Sequence, residues 1–148
     1  MNIDQLREEL KVDEGCKYEI YLDHLGLPTF GIGHLVLSSD PEHGQPVGTP
    51  VSEDRVNECF AKDVETVLSE CAQLYSNFEV LPEEAQLIIA NMMFNMGRPR
   101  LSKFKNFIKN INLANWQGAA DEMIDSNWYK QVKSRGPRMV QVMRSAAK

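Results

Sequence analysis

Residues 14–34 read EGCKYEIYLDHLGLPTFGIGH, and the fold turns on this stretch. β-branched and aromatic residues alternate here with Gly26, Pro28, Gly31 and Gly33, while the chain on either side is patterned for helix. That composition predicts a small three-stranded hairpin sheet between Tyr18 and Leu37. Such a sheet cannot stand alone in water and must lean on helices. Gly15 follows Glu14 where a helix commonly stops, so Glu14 is expected to close an N-terminal helix. Asp23 falls in or beside a turn beyond the strand-like run from Lys17 to Tyr21. Thr29 falls in the next short strand.

Working outward, residues 2–13 place Ile3, Leu6 and Leu10 on one helical face, with Asp4, Glu8 and Glu9 opposite. Ser38–Pro50, with three prolines and two glycines, reads as a loop. Ser52 is a good N-cap, and Glu53 and Asp54 suit the positive end of a helix. Val56, Cys59, Phe60, Val64, Val67, Leu68 and Cys71 then form the apolar stripe of a helix of about 20 residues, spanning roughly 30 Å. Leu81-Pro82 opens another helix, apolar nearly all round through Met96 and ended by Gly97. Met92, Met93 and Met96 read as core within it. Shorter helices are expected at about 101–110, 113–124 and 126–134, and a last one after Pro137. The predicted class is α+β and mainly helical. A small three-stranded antiparallel sheet lobe (about 14–58) and a larger helical lobe (1–13 and about 70–148) are joined by a long helix (about 52–72) within one domain, with a groove between the lobes.

Two carboxylates on separate elements are what glycoside hydrolysis requires: one protonates the leaving oxygen, the other activates water or stabilises charge. Glu14 is the candidate acid, because the negative end of a helix macrodipole favours a protonated carboxyl. Asp23 is the candidate second carboxylate, and Thr29 offers a hydroxyl to orient water. Arg135 is the candidate cation to hold Glu14 in place. His34 is expected to pair with Asp63 on the long helix. The sequence has no HExxH and no Cys/His pair at zinc spacing, so no metal site is expected. Gly31-Ile32-Gly33 lacks the following helix of a phosphate loop; glycine here suits a sharp bend or a close backbone approach.

At 148 residues, 43% hydrophobic and 25% charged, the chain has the composition of a globular domain. A net charge of −5 argues against broad nucleic-acid binding. No run is long enough to cross a membrane, so no stable membrane association is expected. The acidic opening MNIDQLREEL is unlike a secretory signal. Cys16, Cys59 and Cys71 are odd in number without CxxC spacing, which favours buried free thiols.

The pattern E-x8-D-x5-T-x-G-I-G-H, formed by Glu14, Asp23, Thr29 and residues 31–34, resembles the phage-type lysozymes, glycoside hydrolase family 24. The resemblance extends through DEG at 13–15, KDV around Asp63, NMMFNMG at 91–97 and SNWYKQ…SRGPR at 126–138. It implies a lysozyme-like two-lobed fold, no cofactor, and inverting hydrolysis of the β-1,4 bond between N-acetylmuramic acid and N-acetylglucosamine in peptidoglycan. By position it implies Glu14 as general acid, Asp23 as second carboxylate and Thr29 beside the attacking water. It also implies sugar contacts at or near Leu35, Phe94 and Phe107. The setting that follows is an endolysin: a monomer made in the host cytoplasm, reaching the wall after a separate pore-forming protein, a holin, opens the membrane. The alternatives are a virion tail-associated muramidase, or a lysozyme-like domain that binds glycan without cutting it.

Overall fold

The computed structural model describes residues 1–132 and 134–146. Position 133, inside the helix expected over 126–134, lies outside them. The chain is mainly helical with one small antiparallel sheet, as its patterning predicts. It divides into two compact units: a sheet-bearing unit of residues 7–66, and a helical unit of residues 1–6 with 67–148. The divisions fall inside the first and second long helices.

The first helix, α1 (Ile3–Glu14), starts on Asn2, whose side-chain oxygen accepts from the Gln5 amide at 3.0 Å. It stops at Glu14 because Gly15 takes a left-handed conformation (φ 76°), its amide closing the last turn on the Lys11 carbonyl at 2.9 Å. The sheet follows as β1 (Lys17–Leu22), β2 (Pro28–Gly31) and β3 (His34–Leu35), in spatial order 1-2-3 with both pairings antiparallel. Tyr21 pairs with Thr29, and Thr29 in turn with Leu35. Ile20 of β1, Phe30 of β2 and Ile32 in the turn between β2 and β3 are all at most 2% exposed.

The long helix α2 spans Glu53–Leu74. Ser52 caps it as expected, its hydroxyl accepting from the Arg55 amide at 3.1 Å. Val56, Cys59, Phe60, Val64, Val67 and Cys71 are buried along it. After a 3-10 turn at Phe78–Val80 comes α3 (Glu83–Met96), in which all residues from Ala85 to Met93 are buried. Pro82 stands just before its first residue and Gly97 ends it at φ 78°.

The region expected as one helix over 101–110 is two: α4 (Arg98–Leu101) and α5 (Lys105–Asn112), broken at Ser102–Phe104. Pro99 fits the first turn of α4, where its missing N–H costs nothing. Then come α6 (Trp116–Ile124), capped by Asn115, and α7 (Asn127–Gln131), capped by Ser126. The last helix, α8 (Arg135–Ser145), begins before Pro137 rather than after it; proline is tolerated in a first turn. All three cysteines are free, but Cys16 is exposed, so the expectation of three buried thiols holds only for Cys59 and Cys71. Among the described residues, no helix is long and apolar enough to cross a membrane.

Candidate active site

The sheet-bearing unit gathers the chemistry around Tyr21. Its phenol is pushed above its ordinary value by burial first, and then by the negative charges of Glu14 and Asp23. Both carboxylates therefore act on one side chain, and Thr29 is the cross-strand partner of that same residue. Lys17 completes the surroundings, with Nζ 4.4 Å from the centre of the Tyr21 ring.

Glu14 is half-buried at the last residue of α1. Its side chain lies against Gly33, where an added Cβ would come within 3.1 Å of Glu14 Oε2 and 3.3 Å of Glu14 Cβ. Gly33 also has φ 63°, a region that side-chain-bearing residues seldom adopt. The second glycine of GIG is thus the seat of the Glu14 side chain. Gly33→Ala should therefore displace Glu14 as well as strain the turn. We expect a stability loss of about 1–3 kcal/mol and a fall in turnover larger than that loss explains. Thermal melts run beside rate measurements will show both; unchanged turnover would mean that Glu14 does not depend on this seat.

Asp23 sits in the turn between β1 and β2 and is held by that turn. Its Oδ1 accepts from the amides of Leu25 at 2.8 Å and Leu27 at 2.9 Å, and its own amide donates to the Leu27 carbonyl at 3.0 Å. One carboxylate oxygen organises the loop, leaving Oδ2 uncommitted among the described residues. Thr29 is 4% exposed and donates its hydroxyl to the Leu27 carbonyl at 3.0 Å. With the proton so directed, Oγ1 keeps lone pairs to accept from a water.

His34 pairs with Asp63 through Nδ1 at 2.6 Å, the pair expected from the sequence, and through Nε2 it also meets Asp40 at 2.8 Å. Burial opposes charging the ring, but hydrogen bonds and charge from the two aspartates outweigh it. The His34 pKa is raised above its ordinary 6.5. Asp40 passes the chain of contacts on. Its Oδ1 accepts from Arg55 at 3.2 Å, and the same guanidinium reaches Glu42 at 2.9 and 3.0 Å and Glu58 at 3.0 Å. Sequence reasoning missed Asp40, Glu42 and Arg55. The first two lie in the Pro- and Gly-rich loop, where acidic residues look merely solvated, and only the fold returns that loop to α2.

The remaining expected residues lie as follows. Leu35 is 44% exposed on β3. In the helical unit, Phe94 is half-buried on α3. Phe107 is 1% exposed, with its ring edge-on to Tyr75 at 6.4 Å between centroids, and it also lines a pocket of about 490 Å³ in the helical unit. Arg135 is buried and donates to Asn91 Oδ1 through Nε at 3.1 Å and Nη2 at 2.8 Å. Burial pushes the thiols of Cys59 and Cys71 up to about 11 and about 12, so neither supplies a thiolate nucleophile near neutral pH. Among the described residues, no group of three or more His, Cys, Asp or Glu side chains is placed to hold a metal ion.

Known proteins share much of this sequence. "Probable T4-type lysozyme 2" of Dictyostelium discoideum is 31% identical over 162 residues, covering 95% of this chain and 94% of that protein. "Endolysin" of Salmonella phage P22 is 26% identical over 117 residues, covering 78% and 75%. "Pre-baseplate central spike protein Gp5" of Enterobacteria phage T4 is 24% identical over 156 residues, covering 93% of this chain but 27% of the spike protein. The phage lysozyme profile matches residues 11–147. With the two carboxylates, the threonine and the glycine seat in place, the chain belongs to the phage lysozyme family and is a glycoside hydrolase of the lysozyme type.

Proposed function

We propose that this enzyme hydrolyses the β-1,4 bond between N-acetylmuramic acid and N-acetylglucosamine in bacterial peptidoglycan, with inversion at the anomeric carbon. The observation that carries this reading is the arrangement of Glu14 against Gly33, Asp23 in the β1–β2 turn and Thr29 opposite Tyr21, in a chain of the phage lysozyme family. Glu14 gives its proton to the glycosidic oxygen as the bond to the anomeric carbon breaks. Asp23, through its free Oδ2, takes a proton from a water that Thr29 Oγ1 helps to orient, and that water's oxygen bonds to the anomeric carbon from the opposite face. Asp23 also stabilises the oxocarbenium-like charge at the transition state. No cofactor is needed, because both proton transfers are made by side chains.

The relative named "Endolysin" supports a role in lysis; the setting proposed with it is synthesis in an infected cell's cytoplasm, release by a separate pore-forming protein, a holin, and action on the wall as a monomer. The similarity to Gp5 favours a second setting, a virion-borne muramidase used at the start of infection. Finding the protein in purified virions would select it. The chemistry itself is tested on purified peptidoglycan, with released fragments resolved by mass spectrometry. Reducing ends on N-acetylmuramic acid, initially in the α configuration by NMR, are expected. Wall binding without any release would replace this reading with a non-catalytic glycan-binding domain.

A further inference from the structure

β3 is two residues long and joins β2 through two pairs, Thr29 with Leu35 and Phe30 with His34. So short a ladder cannot hold its own register. The turn leading into it adds little, since Gly31 and Gly33 take left-handed conformations (φ 64° and 63°) that glycine reaches without strain but at a high entropic cost. Yet β3 stands beside the groups that matter. His34 follows Gly33, against which the Glu14 side chain lies, and precedes Leu35, the cross-strand partner of Thr29. Whatever fixes His34 fixes both neighbours.

The ring of His34 is clamped between two elements. It lies 4.9 Å from the Phe30 ring between centroids, and it meets a carboxylate at each nitrogen: Asp63 of α2 at 2.6 Å and Asp40 of the following loop at 2.8 Å. Ionised carboxylates only accept, so both ring nitrogens donate. With one side removed, the ring would be free to pivot about the other. Asp40 is itself held firmly. Its Oδ2 also accepts from the Leu37 amide at 2.8 Å, and its Oδ1 accepts from Arg55 Nη2 at 3.2 Å. Arg55 stands in the first turn of α2, about two turns before Asp63, and grips Glu42 of the same loop through Nε and Nη2. The far end of that loop runs along β1. There the Ile20 amide donates to the Thr49 carbonyl at 3.0 Å, the Gly48 amide to the Ile20 carbonyl at 2.7 Å, and the Val51 amide to the Tyr18 carbonyl at 2.9 Å. The loop is tied down at both ends, so Asp40 offers β3 a fixed point.

We propose that Asp40 and Arg55 are positioning residues for glycan hydrolysis: through His34 they hold β3 in register, and so set Thr29 beside the attacking water and Gly33 against Glu14. Neither takes part in the proton transfers. The role rests on the muramidase reading for the reaction it serves. Its signature is a loss of turnover without a matching loss of binding, because a water held slightly out of line still leaves the glycan bound.

The test uses Asp40→Asn and Arg55→Gln, each assayed for release of reducing ends with kcat and KM separated, and for thermal melting. Asp40→Asn keeps an oxygen for the Leu37 amide while removing the charge that faces His34 and Arg55. Its kcat should fall by roughly tenfold, a modest share of what a misplaced reacting group costs, with KM close to that of the wild type. Arg55→Gln leaves both His34 contacts in place and should lower kcat in the same sense by a smaller factor. Nitrogen-15 relaxation dispersion should appear in both variants at the amides of Leu35 and Val36, the latter bonded to the Pro28 carbonyl at 3.0 Å, and not along α2. Wild-type kcat in either folded variant overturns the proposal. So does a loss carried by KM alone, or a fall in kcat with β3 as quiet as in the wild type. Should Asp40→Asn fail to fold, Arg55→Gln decides by the same criteria. If the wild type releases no reducing ends, the muramidase reading fails by itself. The hold on β3 is then judged by dispersion alone, and an unchanged β3 in both variants overturns it.

Discussion

Glu14→Gln should lower hydrolysis of peptidoglycan by about 10²- to 10⁴-fold, the range that positioned general-acid catalysis contributes, while the protein keeps its fold. Glutamine has the size of glutamate and can occupy the same space against Gly33, so the substitution tests chemistry rather than packing. What it removes is the proton for the departing oxygen. Without that proton the leaving group departs as an alkoxide. Release of reducing ends is the measurement, with a thermal melt to show that folding is retained. A folded variant with full activity would end the assignment of Glu14 as acid. Asp23→Asn makes a useful companion, because the asparagine oxygen can still accept from Leu25 and Leu27 and hold the turn. Its activity should fall, but less uniformly across substrates, since an oriented water can persist beside Thr29.

His34→Asn should destabilise the protein by about 3 kcal/mol near pH 5.5, consistent with the cost of breaking a buried ion pair from one side. For a chain of this size that is a fall in Tm of roughly 6–12 °C. The ring is 7% exposed and bonded at both nitrogens, so the substitution leaves Asp40 and Asp63 without the group between them. The difference between wild type and variant should depend on pH in a defined sense. The His34 pKa is raised on folding, so its contribution is fully present below the ordinary histidine value and is lost as pH rises through the higher folded value. Asp40 and Glu42 titrate lower in the fold than in the unfolded chain. Asp40 is held down, against its burial, by the Leu37 amide and by His34; Glu42 is held down by Arg55. Their contribution is present above the ordinary carboxylate range and is lost as pH falls through the depressed values. The network should therefore be strongest between those limits, in mildly acidic solution. Unfolding free energies from pH 4 to pH 9 will show it; a gap between wild type and variant that does not narrow above neutrality would mean that charge on His34 contributes little.

The parts of the fold that could be read from the sequence were those with one dominant local cause. Gly15 stops α1 and Gly97 stops α3 because a left-handed residue is the simplest way to end a helix, and glycine adopts it without strain. Ser52 caps α2 through a contact three residues long. The His34–Asp63 pair was legible because each sits on a regular element whose facing could be inferred. Where several causes competed, the reading failed. The break at Ser102–Phe104 has no proline or glycine of its own and follows from the way α4 and α5 pack separately. The burial of Phe107, expected at or near a sugar contact, was not announced either: its ring lies edge-on to Tyr75, 32 residues away. The contacts of Arg55 with Asp40 and Glu42 span 15 and 13 residues across a loop without periodicity, so no local pattern announces them.

Glu14 owes its place to being the final residue of α1, and a helix end is the part most prone to fray. The Gly15 amide, bonded to the Lys11 carbonyl at 2.9 Å, closes that last turn. Its hydrogen-exchange rate is thus a gauge of how often Glu14, the proposed acid, leaves its station. Substitutions that speed exchange at this one amide should slow the enzyme even when they lie nowhere near a sugar, and the rest of the protein would melt as before.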